Sequence, residues 1–250
     1  MYRTTTAIIT MCTMLQSCNN SATQEPSHLK ITAGEEMSDN NTPAVIKLNA
    51  RKGFTNYICT GTFIYRDVIL TAGHCVAEMD EVSIGSGPAK GMIPSSIHIH
   101  PKYDNGNWDR TYRYDLAVLQ FNSEVSHSMI PISSVKGKAN DLARIIGYGN
   151  NNTVDRTGSG VKRQGFTIID EVKKGVLFSN GADGTSQADV FDGVSLAGGG
   201  DSGGPMILSK RDHPAFLIGV TTGGRAGRSI WVDLHSRSSK SFLNSLSIYY

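Results

Sequence analysis

The stretch "LAGGGDSGGPMIL", residues 196–208, decides how the rest of the chain is read. Three glycines lead to Asp201 and Ser202; two more glycines and Pro205 follow. Four of the six residues flanking Ser202, from Gly199 to Pro205, are glycine, so one hydroxyl stands almost free of neighbouring side-chain bulk. Glycine-rich loops are often only flexible turns. A serine that acts as a nucleophile also needs a base within hydrogen-bond reach and a partner that orients the base. Those partners must come from elsewhere in the chain.

The surroundings are those of a β protein. The chain has 250 residues, 39% of them hydrophobic, enough for one large domain or two small ones with real cores. A net charge of +2 gives no electrostatic case for nucleic acid or an acidic surface as partner. A charged fraction of 18% and 27 glycines favour a turn-rich all-β fold. From residue 44 short apolar runs alternate with turn residues: "AVIKLNA", "YICTGTFIY", "DVILTAG", "DLAVLQF", "ARIIGYG", "GFTIID", "GVLFS", "PMILS", "AFLIGVTTGG" and "SIWVDL". Their length and their Val, Ile, Phe, Tyr and Thr content predict antiparallel strands that close into barrels or sandwiches. Helical spacing appears only at the end, where Phe242, Leu243 and Leu246 predict a short terminal helix in "SKSFLNSLSIYY". The polar segment 137–143 reads as a seam between two halves.

The N-terminus reads as a targeting segment. One arginine precedes the uncharged "TTTAIITMCTML" (4–15), too short to span a bilayer and of the length of a signal-peptide core. "LQSC", ending at Cys18, resembles the bacterial lipobox, which implies a lipid on Cys18 and a signal peptide over 1–17. Residues 18–30 are polar and aperiodic and read as a tether or propeptide. With Cys12 removed and Cys18 lipidated, Cys59 and Cys75 remain as an even pair in an oxidising compartment. A disulfide is their simplest use, because a metal site would need more ligands than cluster there.

"LTAGHC" (70–75) ends one apolar run with His74, and "YDLAVLQF" (114–121) opens another with Asp115. "TAGHC", "DLAVL" and "GDSGGP", in that order, resemble the three signature motifs of the chymotrypsin/trypsin-like serine proteases. The likeness extends to "ITAGEEMSDNNTPAVIKLNA" as a mature start, to "ICTGTFIYRDVILTAGHC" with its paired cysteines, to "HPKYD" and to "IIGYG". It covers roughly residues 31–235. The resemblance implies two antiparallel Greek-key β-barrels, 31–140 and 141–250, the second ending in the short helix. It also implies a Cys59–Cys75 disulfide.

What the resemblance implies for chemistry is specific. Ser202 would attack a peptide carbonyl, His74 would take and return its proton, and Asp115 would hold the imidazole. Backbone N–H groups of Gly200 and Ser202 would bind the oxyanion. Cleavage after Lys30 would free the Ile31 amino group to pair with Asp201; without that partner Asp201 should turn away and distort the oxyanion loop. The specificity pocket would be built on Leu196, with walls at Ala197–Gly199 and at Thr222–Gly224, and Ser229 nearby. Leu196 stands where trypsin-like members carry an acid, so basic residues are not the expected substrates, and self-activation after Lys30 is not expected either. Thr222 is assigned the place of the usual wall tryptophan, and Arg225 and Arg228 lie close by in sequence. The histidines at 28, 98, 100, 127, 213 and 235 have no motif context. No metal or organic cofactor is implied. The expected partners are protein or peptide substrates and an activating protease, with a monomer that meets a membrane only through a lipid at Cys18. The rival reading is a non-catalytic surface lipoprotein that binds a protein partner on the same scaffold.

Overall fold

In "VIKLNARK" alternate side chains are buried from Ile46 to Ala50, the period-2 signature of a strand with one face on a core. This strand, β2 (Val45–Lys52), pairs antiparallel with β3 (Thr55–Tyr65) through a two-residue turn at Gly53 and Phe54. Gly53 has φ +59°, the left-handed value such a hairpin turn requires. The computed structural model describes residues 31, 34–151, 157–180, 195–208, 215–225 and 227–250. The expected signal peptide, Cys18, the tether and Lys30 lie outside the described residues, as do His28 and His213.

Two antiparallel sheets carry the fold. The first runs β5 (Glu81–Ile84), β2, β3, β4 (Val68–Thr71), β7 (Ala117–Gln120), β6 (Ser96–Ile99). The second runs β1 (Glu35–Glu36), β9 (Arg163–Ile168), β8 (Leu142–Gly147), β12 (Pro205–Leu208), β13 (Phe216–Arg225), β14 (Arg228–Asp233), β11 (Val176–Asn180), β10 (Glu171–Lys173). All ten expected runs contribute a strand. The chain crosses between the sheets at residues 130–133, where the Ile130 N–H donates to Phe63 O (2.9 Å) and the Ser133 N–H to Leu217 O (2.9 Å). One buried cluster joins them: Leu48, Ile69 and Leu119 of the first sheet pack with Ile146, Leu217 and Val220 of the second.

Two helices complete the described structure. α2 (Arg237–Ser245) begins two residues before the predicted helix, because the Ser236 hydroxyl caps it by accepting the Ser239 N–H at 3.0 Å. Its Phe242 and Leu243 bury against the shared core; full burial of a leucine stabilises by roughly 1.5–3 kcal/mol. α1 (Trp108–Tyr114) was not expected. Asn107 caps it through the Arg110 N–H at 3.3 Å, and Asp115 is the residue that ends it.

Candidate active site

β4 is buried along its whole length, "VILT", and leads through Ala72 into a 3₁₀ turn, Gly73–Cys75, that presents His74. A Cβ at Gly73 would sit 3.2 Å from Asp115 Oδ1, so glycine lets the two segments approach. The Cys59–Cys75 disulfide, with Cα atoms 6.1 Å apart, ties this turn to β3. Closing a loop of that size stabilises by roughly 3 kcal/mol. α1 and β7 hold Asp115 between them, fully buried.

Asp115 is bonded on both oxygens. Oδ1 accepts the backbone N–H of His74 (2.7 Å); Oδ2 accepts Nδ1–H of the His74 ring (2.6 Å) and the hydroxyl of Thr222 (2.5 Å). A buried carboxylate is costly unless so satisfied. With Nδ1 donating, Nε2 of the neutral imidazole carries the free lone pair. Burial alone would lower the pKa of His74, but the charge of Asp115 and its hydrogen bond outweigh that, and the pKa is raised. The side chain keeps 32% of its surface exposed. Sγ of Cys75 lies 3.8 Å from His74 Nε2 and 3.6 Å from the Ser202 carbonyl oxygen, so the structure brings imidazole and serine to one sulfur. The Ser202 hydroxyl makes no hydrogen bond to His74 among the described residues. Such contacts commonly tighten only when substrate binds.

The loop around Ser202 shows why bulk is stripped from it. Gly200 has φ +101°, and a Cβ there would lie 2.9 Å from Gly149 Cα. Gly203 has φ +82°, and its Cβ would fall 2.1 Å from Thr71 Oγ1 and 2.2 Å from Thr60 O. The Gly203 and Gly204 N–H groups are used inside the fold, donating to Thr221 O and Asp201 O, both at 2.8 Å. Those of Gly200 and Ser202 donate to no described residue. Two unclaimed donors beside a serine are what an oxyanion needs.

Asp201 is buried, with Oδ1 accepting from the Gly149 N–H and Oδ2 from the Gly198 N–H, both at 2.7 Å. Burial raises its pKa to about 6 against those bonds and the charge of Arg163. Ile31 is already buried, in a cluster with Ile145 and Trp231.

The residues expected to line a specificity pocket lie along β13, β14 and the loop before Ser202. Thr222, expected on the wall, is the extra residue of a β-bulge between Thr221 and Gly223, and the bulge aims its hydroxyl at Asp115. Gly223 takes the next place, where a Cβ would stand 3.5 Å from Tyr112 of α1. The Ala197 N–H donates to Ser229 Oγ (2.9 Å), and Ser229 pairs with Gly224, so both walls are tied without a disulfide. Leu196 adjoins this link and is partly exposed. Arg228 is turned to Asn180 (2.7 Å) and the Phe178 ring. Thr222 was missed as a partner of Asp115 because a bulge leaves no pattern in the sequence.

The Trypsin family profile matches residues 31–236. The chain belongs to the trypsin family. Among curated relatives it is 28% identical over 213 residues to a chymotrypsin of Phaedon cochleariae, covering 76% of this chain and 74% of that one. It is 26% identical over 215 residues to a trypsin of Saccharopolyspora erythraea, covering 78% and 86%. The structure is similar to neuropsin, a serine protease of mouse brain, with TM-score 0.65, 17% identity and coverage of 85% and 98%. The trypsin-family fold and the Cys59–Cys75 disulfide are thus as expected from the sequence.

Proposed function

We propose that this trypsin-family chain is an exported serine endopeptidase acting through His74, Asp115 and Ser202. The observation that carries the reading is the Asp115 carboxylate, fully buried and bonded to the His74 ring, beside a serine flanked by two unclaimed N–H groups. Ser202 Oγ attacks the substrate carbonyl while Nε2 of His74 takes its proton. The positive imidazolium is stabilised by Asp115, whose geometry Thr222 helps to fix. The oxyanion is held by the Gly200 and Ser202 N–H groups. His74 then protonates the leaving amine, and water repeats the sequence on the acyl-serine.

Leu196 and the hydroxyl of Ser229 favour small or apolar residues before the scissile bond. Family members are generally secreted or extracellular, and an export signal over 1–17 with a lipid on Cys18 fits that placement. Among the described residues no helix is long and apolar enough to cross a membrane. Cleavage after Lys30 yields the mature N-terminus at Ile31, and its ammonium completes the surroundings of Asp201. Profiling a peptide library with the processed protein tests the reading. Wild type should cut after small or apolar residues, and Ser202→Ala should not cut. No cleavage by either, with the fold intact, would favour the non-catalytic binder.

A further inference from the structure

Arg163, on β9, is a cation buried to 2% exposure. Such burial is costly unless the donors are matched, and here both terminal nitrogens find acceptors while Nε does not. Its Nη1 donates to the carbonyls of Gly158 (2.8 Å), Gly149 (3.1 Å) and Val161 (3.3 Å), and its Nη2 to Glu36 Oε1 (3.0 Å). In the β8–β9 ladder it stands opposite Gly147. Gly147 and Gly149 are also the residues that make room for Asp201: a Cβ would lie 2.1 Å from its Oδ1 at Gly147 and 2.6 Å from it at Gly149. Residue Gly149 therefore faces two ways. Its carbonyl is held by Arg163, and its N–H holds Asp201 at 2.7 Å.

The Gly149 peptide thus links the guanidinium to a carboxylate that burial would otherwise neutralise, and the charge of Arg163 opposes that neutralisation. Glu36, itself half exposed, pairs with Arg163 at 3.0 Å. In the unprocessed chain the nitrogen of Ile31 is a peptide nitrogen and offers no cation. The catalytic loop is nevertheless set. Gly200 O accepts the Thr60 hydroxyl (2.9 Å), the Asp201 N–H donates to Gly198 O (3.1 Å), and Thr60 N–H donates to Ser202 O (2.8 Å).

We propose that Arg163 is a positioning residue that holds the Gly149 peptide and supplies counter-charge to Asp201, so that the chain reacts at Ser202 before any cut after Lys30. The inference rests on the protease reading above. Processing then adds a second cation at Ile31 and strengthens an arrangement already present.

The test compares the full-length Lys30→Gln variant with the processed protein, reading the rate at which a fluorophosphonate labels Ser202. The unprocessed form should react within about tenfold of the processed one, because one cation already faces Asp201. In the unprocessed form Arg163→Met should slow labelling by at least about tenfold, and Arg163→Lys should restore most of the rate. In the processed form Arg163→Met should cost under about threefold, since the Ile31 ammonium takes over the charge. The acid limb of the labelling profile should also move to higher pH in unprocessed Arg163→Met. Should Arg163→Met not fold, Arg163→Gln, which keeps an N–H donor without the charge, carries the same comparison. An unreactive Lys30→Gln chain beside a reactive processed one overturns the proposal. So does equal slowing of both forms with no rescue by lysine, the mark of a merely structural residue. If neither wild-type form reacts, the protease reading fails and this inference with it.

Discussion

The two sides of the candidate site are held by different physics. On the first sheet, His74 and Asp115 sit between a disulfide, a fully buried strand and three hydrogen bonds to one carboxylate. On the second, the loop of Ser202 has no covalent tie. Its shape comes from glycines at φ values other residues resist, from backbone bonds, and from Asp201 as a buried charge. The first side is built to stay in place. The second depends on the charge state of Asp201 and on what faces it, so it is where pH acts.

The largest expected effect strikes the first side. Asp115→Asn leaves the shape intact but removes the charge and disturbs the tautomer; peptide hydrolysis should fall by about 10⁴-fold, read as kcat/KM. On the second side Gly203→Ala should be nearly as damaging by another route. Its Cβ meets Thr71 and Thr60 at a positive φ, so both melting temperature and activity should drop. A Gly203→Ala protein with wild-type melting temperature would break the comparison.

Intermediate effects separate the sides by pH. The folded pKa of Asp201 is about 6, against an unfolded value of 3.8. The folded state therefore holds this proton more tightly, so the associated stability is fully present below pH 3.8 and is lost as pH rises through about 6. Denaturant titration of the unprocessed chain should show this gain toward acid, up to roughly 3 kcal/mol, and Asp201→Asn should remove it. For His74 the consequence is kinetic. On the proposed mechanism its neutral form is the base, and its pKa is raised, so kcat/KM should climb with pH through a midpoint above 6.5. The smallest effect is that of Thr222→Ala. It removes one of three bonds to Asp115, and kcat/KM should fall by roughly tenfold, the scale of one hydrogen bond to a charged group.

What was legible in the sequence follows the same division. The strands were readable because apolar runs of β-branched residues bounded by turn residues have few other uses. β1, β5, β6 and β10 were not: "EE", "EVSI", "SIHI" and "EVK" are short, and apart from Val82 and Ile84 of β5 they are exposed or only partly buried. α1 hid in "WDRTYRY", which shows no apolar stripe and is only about two helical turns beyond a capping asparagine. At the site, His74, Asp115 and Ser202 announced themselves through their flanking residues. Thr222 and Arg163 did not. One is aimed by a bulge and the other by burial in a strand, and both depend on which distant segments meet. Nor does the sequence reveal that Gly147 and Gly149, by lacking side chains, make room for the Asp201 carboxylate.

Mass mapping of a fluorophosphonate adduct on the processed protein addresses the central claim most directly. Convergence of His74, Asp115 and Ser202 predicts one adduct per chain, located on Ser202 and lost in His74→Ala. An adduct elsewhere, or labelling of Ser202 that is indifferent to the loss of His74, would contradict it.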